Sequence, residues 1–335
     1  MDIRKVQVTG GSSYVITLPK EWADAQHIRK NDPLGLVAQP DGTLLVTREI
    51  TEGQFQREKK FDVSEIHEPT FLFRLLIGSY IAGYTTITII AKTRLPAPVR
   101  MAVRDFAQMT IGPEVVEETD TTIILKDLLN PAEMPFENTI KRMYVIAKNM
   151  HLDALIALET RNRSLCDNVI ARDNDVDRLH WLIARQTNII LKNASLARKM
   201  GQSTSKVVNT YMISRIIERI GDHAVRISEN TQKMPGNSIE PELLATIRKA
   251  STLALSIFDK SIISFFNADM KGSHRNIEQV ETLEALCEDI NVLAMKRDPF
   301  VAVSLRYIAE SIRRTGEYAG DISESVINYL VDERA

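Results

Sequence analysis

Cysteine is nearly absent from this 335-residue chain: Cys166 and Cys287 are its two thiols, and neither sits in a C-x-x-C spacing. That excludes a disulfide framework and a paired-cysteine metal or redox site, and it suits a reducing cytoplasm. No sign of charge dominates. A formal net charge of −2 rules out a chain-wide basic coat, so any binding to nucleic acid or acidic lipid must be local. The most apolar run, Phe71 to Ala91, is interrupted by Arg74, Gly78 and Gly83. It reads as a buried helix followed by a strand, and the protein is not expected to be membrane-embedded. Met1-Asp2-Ile3-Arg4-Lys5 enters alternating residues at once and has no apolar core of a signal peptide. Catalytic signatures are missing as well. There is no H-E-x-x-H, Walker loop or nucleophile elbow, and Thr9-Gly10-Gly11-Ser12 lacks the phosphate-loop lysine spacing. His223 beside Asp222 is the one acid–base neighbour pair; it reads as a helix-surface bystander, and no enzymatic activity is expected.

What is present divides into parts. At 44% hydrophobic content, two or three units can each bury a core. Ile3 to Val8 and Tyr14 to Leu18 are β-rich runs around Gly10-Gly11-Ser12. Pro19 suits the first position of a short helix, and Leu34 to Ala38 and Thr43 to Thr47 flank Asp41-Gly42, a hairpin signal. The polar stretch Thr51 to Lys60 reads as a linker. Residues 62–130 then alternate: helix from Pro69 to Gly83, strand from Thr85 to Ala91, helix from Pro98 to Met109, and two strands between Glu114 and Leu129 broken near Asp120. This small α/β module contains no motif with an assigned chemistry.

From Glu133 to Asp332 the period is helical, punctuated at Gly201, Pro235-Gly236, Gly272 and Pro299. Segments 135–160, 163–199 and 204–233 are echoed by 241–268, 272–296 and 299–332, an internal duplication of a three-helix unit. Ala147, Met150, Leu155 and Ile156 match Ala254, Ile257, Ile262 and Ile263; Val176, Asp177 and Leu179 match Val280, Glu281 and Leu283. At the third helices Ile220-Gly-Asp-His-Ala-Val-Arg-Ile-Ser-Glu229 lies over Thr315-Gly-Glu-Tyr-Ala-Gly-Asp-Ile-Ser-Glu324. The expected fold is mainly α. Its parts are an N-terminal β module (1–50), the α/β module (62–130) and two antiparallel three-helix bundles (133–235 and 240–332).

Four carboxylates stand out in the first bundle. Glu218 and Asp222 are four residues apart and share a helix face, as do Asp173 and Asp177 on the preceding helix. If the two helices are neighbours, all four can converge as oxygen ligands for a hard or borderline cation. Arg172, Arg178, Arg215, Arg219 and Arg226 lie close in sequence and offer the alternative, neutralisation by ion pairs. In the second repeat Arg313 replaces Glu218 and Glu317 replaces Asp222, which favours an intrahelical pair over a second metal site. Glu317 and Asp321 repeat the spacing one turn on and read as a solvated acidic stripe.

The string Glu218-Arg-Ile-Gly-Asp-His-Ala resembles the signature of the PhoU family, and specifically its archaeal type, over residues 133 to 332. The resemblance implies duplicated three-helix bundles and a role in phosphate homeostasis as a brake on a phosphate ABC transporter and its signalling proteins. It also implies a cluster of iron, zinc or manganese, with Glu218 and Asp222 in the E/D-x-x-x-D motif. The string Val8-Thr-Gly-Gly-Ser-Ser-Tyr-Val-Ile-Thr-Leu-Pro-Lys-Glu-Trp, with Ile28-Arg-Lys-Asn-Asp downstream, resembles AbrB/SpoVT swapped-hairpin domains. That implies a homodimer and, beyond it, DNA binding. Arg4, Lys5, Lys20, Arg29 and Lys30 are the candidate phosphate contacts; they exceed the acidic groups of residues 1–30 by two charges, which dimerisation doubles. Arg4 and Lys5 lead because they are expected on the first strand. The expected function is transcriptional regulation of phosphate uptake. The alternative is an adaptor at the transporter that uses the N-terminal module only to dimerise.

Overall fold

The computed structural model describes residues 2–38, 42–48, 56–66, 68–130, 134–193, 196–197, 200–201, 203–235 and 239–333, in two compact units, residues 1–55 and 56–335. In the first unit β1 (Gln7–Thr9) and β2 (Ser13–Val15) form an antiparallel hairpin. Gly10 and Gly11 close it at φ +65° and +86°, a conformation that glycine alone adopts without strain. Helix α1 (Lys20–Ala25) follows with Pro19 at its N-cap, one position earlier than expected. β3 (Gly35–Ala38) and β4 (Leu44–Thr47) form a second antiparallel hairpin; Gly42 has φ +80°, and Asp41 of the expected turn lies outside the described residues.

No described residue of this unit is buried. Ile3, Tyr14 and Leu36 are 83%, 80% and 64% exposed. Both N-terminal strands are shorter than the runs that encode them, because those runs find no buried surface among the described residues of their own unit. Two isolated hairpins without an interior do not hold a fold in water.

The second unit opens with a four-stranded sheet of β5 (Glu58–Asp62), β6 (Thr86–Ile90), β7 (Pro113–Glu118) and β8 (Thr122–Asp127), in the order β5-β6-β8-β7. β5 runs parallel to β6, and the other pairings are antiparallel. The expected linker is corrected here: its residues 58–60 belong to β5, while residues 51–55 lie outside the described ones. An edge strand needs backbone pairing and a single inward Phe61, so Glu58-Lys-Lys-Phe-Asp carries no apolar alternation to read. Helices α2 (Pro69–Ile81) and α3 (Ala97–Met109) cover one face, packing Leu72, Leu76, Tyr80, Val103 and Phe106 on Ile87, Ile89, Ile123 and Leu125.

The helices with described bounds that follow are α4 (Phe136–Thr160), α5 (Arg163–Lys192), α6 (Thr204–Lys233), α7 (Pro241–Asn267), α8 (Met270–Ile277), α9 (Gln279–Ala294) and α10 (Pro299–Glu333). The duplication extends to the caps. α4 and α7 both end on a non-glycine residue in the left-handed region, Arg161 (φ +55°) and Ala268 (φ +52°), and the next residue, Asn162 or Asp269, N-caps the following helix through its side chain. The expected helix 272–296 is in fact two, α8 and α9, meeting at Glu278. Beside the break the buried amide of Asn276 donates to Ile257 O, Ser261 Oγ and Ser323 Oγ, a side chain committed to its neighbours where a leucine would continue the stripe. The two bundles share one apolar core, in which Ile140, Met143 and Ile217 join Ile257, Phe258 and Ile312. Ser205 at the start of α6 bonds Asp332 at the end of α10, so the two third helices are antiparallel. Among the described residues no helix is long and apolar enough to cross a membrane.

The α/β module is fastened to the first bundle. Arg185 on α5, 2% exposed, donates Nη1 to Tyr80 O and Nη2 to Asp127 Oδ2 while its guanidinium lies over the Tyr80 ring. Trp181 packs against the module's core, and Lys192 Nζ reaches Ala82 O.

Candidate functional site

The acidic pairs meet where α5 crosses α6. Gly221 makes the approach: a Cβ there would stand 3.3 Å from Asp173 Oδ1 and 3.6 Å from Val176. Asp173, Asp177, Glu218 and Asp222 are all half-buried at this crossing. Burial and mutual repulsion push Asp173 and Glu218 up to about 7 and Asp177 up to about 6. Asp222 is also raised by burial, against the pull of Arg226 and Arg219. Asp173 Oδ1 is buried without a hydrogen-bond partner.

Three of the five nearby arginines have contacts of their own outside the cluster. Arg172 pairs with Asp153, Arg178 with Asp175 at 3.9 Å, and Arg219 lies 5.7 Å over the Tyr318 ring. Among the described residues no ion pair within 4.0 Å reaches the four carboxylates. Nor do three or more His, Cys, Asp or Glu side chains among the described residues already stand in an arrangement that could hold a metal ion. The donor set is that of a hard cation, and the side chains would have to draw together around it.

The equivalent position in the second repeat is filled by the protein itself. Arg313 donates to Glu310 and Glu317, and Arg314 bridges the same two carboxylates. Burial raises Glu317 against the pull of these two guanidinium groups, and burial likewise raises Asp321.

Three histidines are buried in the bundles. His151 bonds Ser251 Oγ at 2.9 Å, His180 bonds Ser214 Oγ at 3.0 Å, and His223 stands 5.6 Å from the Tyr318 ring with Nδ1 unpartnered. Burial holds each near 4, hence neutral at pH 7. His223 is therefore an interior residue and not the surface bystander expected. Its burial was hidden because the helix period places it beside both Asp222 and the apolar Ala224.

In the first unit Arg4, Lys5, Lys20, Arg29 and Lys30 are all exposed. Arg4 pairs with Asp2 at 3.1 Å. Arg4 and Lys5 precede β1, which begins at Gln7, so their expected position on the strand is corrected. Lys20 opens α1, and Arg29 and Lys30 occupy the turn that Asp32 closes by accepting from Arg29 N. Arg48, which the sequence did not single out, ties the end of β4 to α1 by donating to Gln26 O at 2.7 Å.

Comparison with known proteins gives the same division. A PhoU domain matches residues 140–231, and residues 7–53 match the family described as antidote-toxin recognition MazE, bacterial antitoxin. The chain is 24% identical over 198 residues to a phosphate-specific transport system accessory protein PhoU homolog from Burkholderia sp., covering 56% of this chain and 81% of that one. It is 21% identical over 194 residues to PhoU homolog 1 of Thermotoga maritima, covering 56% and 82%. Its fold is similar to that of PhoU from Pseudomonas aeruginosa, with TM-score 0.53 and 19% identity over 59% of this chain and 96% of that one. The phosphate transport system regulatory protein PhoU from Streptococcus pneumoniae also aligns, with TM-score 0.50, 15% identity, and coverage of 58% and 92%. The chain thus joins a PhoU-type helical core to a MazE/AbrB-like N-terminal domain.

Proposed function

We propose that this protein is a DNA-binding transcriptional regulator of phosphate uptake, with its PhoU-type bundles as the sensing half. The observation that carries the reading is the joining of a MazE/AbrB-like module, with five exposed cations and no interior of its own, to a core whose relatives are named as accessories of phosphate transport. Pairing of two N-terminal modules supplies the interior each one lacks and gathers ten cations on one homodimer. Phosphate contacts of this kind position a protein on a duplex.

The crossing of α5 and α6 is the natural sensor. Asp173, Asp177, Glu218 and Asp222 would hold iron, zinc or manganese, and the ion would supply the positive charge that this half-buried cluster lacks. Support comes from the orphaned Asp173 Oδ1, the upward shifts of the acids and the lack, among the described residues, of any ion pair within 4.0 Å to the four carboxylates. The protein's own work there is to keep four carboxylates close by means of Gly221.

Binding of the full-length protein to a duplex from a phosphate-transport promoter, titrated with salt, tests the reading. Affinity should fall steeply and linearly in log salt. No binding to any duplex at low salt would leave the adaptor reading, in which the protein acts at a phosphate ABC transporter or its signalling partners and the N-terminal module serves dimerisation alone.

A further inference from the structure

The second bundle carries a groove of about 650 Å3, within the roughly 300–1,000 Å3 of small-molecule sites. It runs between α7 and α9, helices that contribute nothing to the carboxylate crossing. Its lining changes in kind along α7. Arg248 and Lys249 stand at one level. Glu159, near the end of α4, accepts from Arg248 Nε at 2.8 Å, which steadies the guanidinium and leaves both terminal amino groups uncommitted among the described residues. Lys249 is exposed and forms no ion pair among the described residues. No carboxylate lines the groove. One turn further Leu253 provides an apolar wall, answered by Leu286 from α9. Hydroxyls complete it. Thr252 donates to Arg248 O at 2.8 Å and keeps its lone pairs, while Ser256 and, from α9, Thr282 form no hydrogen bond among the described residues.

We propose that this groove binds a nucleoside phosphate. Two cations with no acid in the lining call for an anion, and the free guanidinium amino groups beside an ammonium suit the oxygens of a phosphate. The leucines offer an apolar surface to a flat base, and the hydroxyls match the polar edge of a base or a ribose. Lys249 and Ser256 are seven residues apart, about 10 Å along the helix, close to the length of a nucleoside monophosphate. An acyl chain would cover the hydroxyls without bonding them. A partner helix would need apolar anchors repeated over several turns, where the groove has two leucines. The inference rests neither on DNA binding nor on metal in the first bundle.

Calorimetric titration of the full-length protein with AMP tests the site, in chelator so that no metal at the carboxylate crossing contributes. AMP should bind, and adenosine and inorganic phosphate should each bind about tenfold more weakly or worse, because each reaches one end of the groove only. Lys249→Ala, at an exposed position, should weaken AMP about tenfold, the loss of one charge-assisted contact. Ser256→Trp, which fills the groove from its partly exposed wall, should abolish binding while the melting temperature reports an intact fold. No binding of AMP at millimolar concentration overturns the proposal. So does AMP held no more tightly than inorganic phosphate or adenosine, or an affinity that Lys249→Ala leaves unchanged.

Discussion

Arg185 on the second helix of the first bundle and Asp127 at the end of the last strand of the sheet form a buried ion pair, 2% and 5% exposed, that joins two structurally different halves. Asp127 Oδ1 also accepts from Leu129 N at 3.1 Å, and Gly112, at φ +108°, leaves room for this carboxylate: a Cβ there would fall 2.2 Å from it. Removing one partner of such a pair strands a charge in the interior. Asp127→Ala should lower unfolding stability by about 3–5 kcal/mol, whereas Asp120→Ala, which breaks an exposed pair with Arg94, should change it by less than about 1 kcal/mol. Urea denaturation of the two variants gives the comparison; equal losses would mean that Arg185 finds another partner.

The crossing of α5 and α6 sets the pH dependence. Asp173 and Glu218 titrate near 7 and Asp177 near 6 in the folded chain, well above their ordinary values. Raised carboxyls bind protons in the fold before the unfolded chain does, so metal-free protein should gain stability as pH falls from 8 towards 6. The three buried histidines act oppositely. Held near 4 against an ordinary 6.5, they protonate first in the unfolded chain and remove stability as pH falls from 6.5 to 4. The Tm should therefore rise from pH 8 to about pH 6 and then level off, because below that the three carboxyls and the three histidines offset one another, and the rise from pH 8 should vanish in a Glu218→Gln, Asp173→Asn variant. Thermal melts in chelator check this, and a wild-type Tm falling steadily from pH 8 to 6 would contradict it.

Metal content gives a separate prediction. Protein dialysed against iron, zinc or manganese should retain the ion and melt higher with it, and Glu218→Gln with Asp222→Asn should lose both properties. Glu317→Gln should leave metal content unchanged, since Arg313 and Arg314 already compensate that carboxylate. Metal-free protein whose Tm ignores all three ions would assign the first-repeat carboxylates no cation.

Arg4→Ala with Lys5→Ala should weaken DNA binding alike across sequences and lower the salt slope by roughly one for each phosphate no longer neutralised. Lys92→Ala, in the second unit, is the control. A loss confined to one operator sequence would mean that these side chains read bases.

The N-terminal module should be ordered only when paired. Charging its exposed apolar surface, as in Leu36→Asp with Leu44→Asp, should let amides of the Gln7–Val15 hairpin exchange at free-peptide rates and should abolish DNA binding. Exchange that stays as slow as in the wild type would place the missing interior elsewhere.

The parts legible in the sequence are those written in periodic patterns. The helical duplication, the paired carboxylates and the arginine substitution at 313 all follow from spacing, and the structure gathers the carboxylates at one crossing. What the spacing left out depends on residues distant in the chain. β5 is polar and joins the sheet through its backbone; Arg185 reads as one more charge on an amphipathic helix until Tyr80 and Asp127 close over it. The break at Glu278 depends on Asn276 finding Ser261 and Ser323, 15 and 47 residues away. Arg4 and Lys5 lie in a β-rich run that is longer than its strand, which begins at Gln7, because β-branched residues without a packing surface do not extend a ladder.

Helix α5 also has a mechanical character. It runs unbroken for 30 residues, about 45 Å of continuous rod. Asp173 and Asp177 stand near its middle, and two turns beyond the latter Arg185 grips the sheet. A hydrogen-bonded helix neither stretches nor compresses appreciably over such a length, and its buried guanidinium cannot slide along Asp127 without losing its partner. A shift of the rod along its axis at the acidic crossing therefore arrives at the sheet as the same shift, with no hinge between to absorb it.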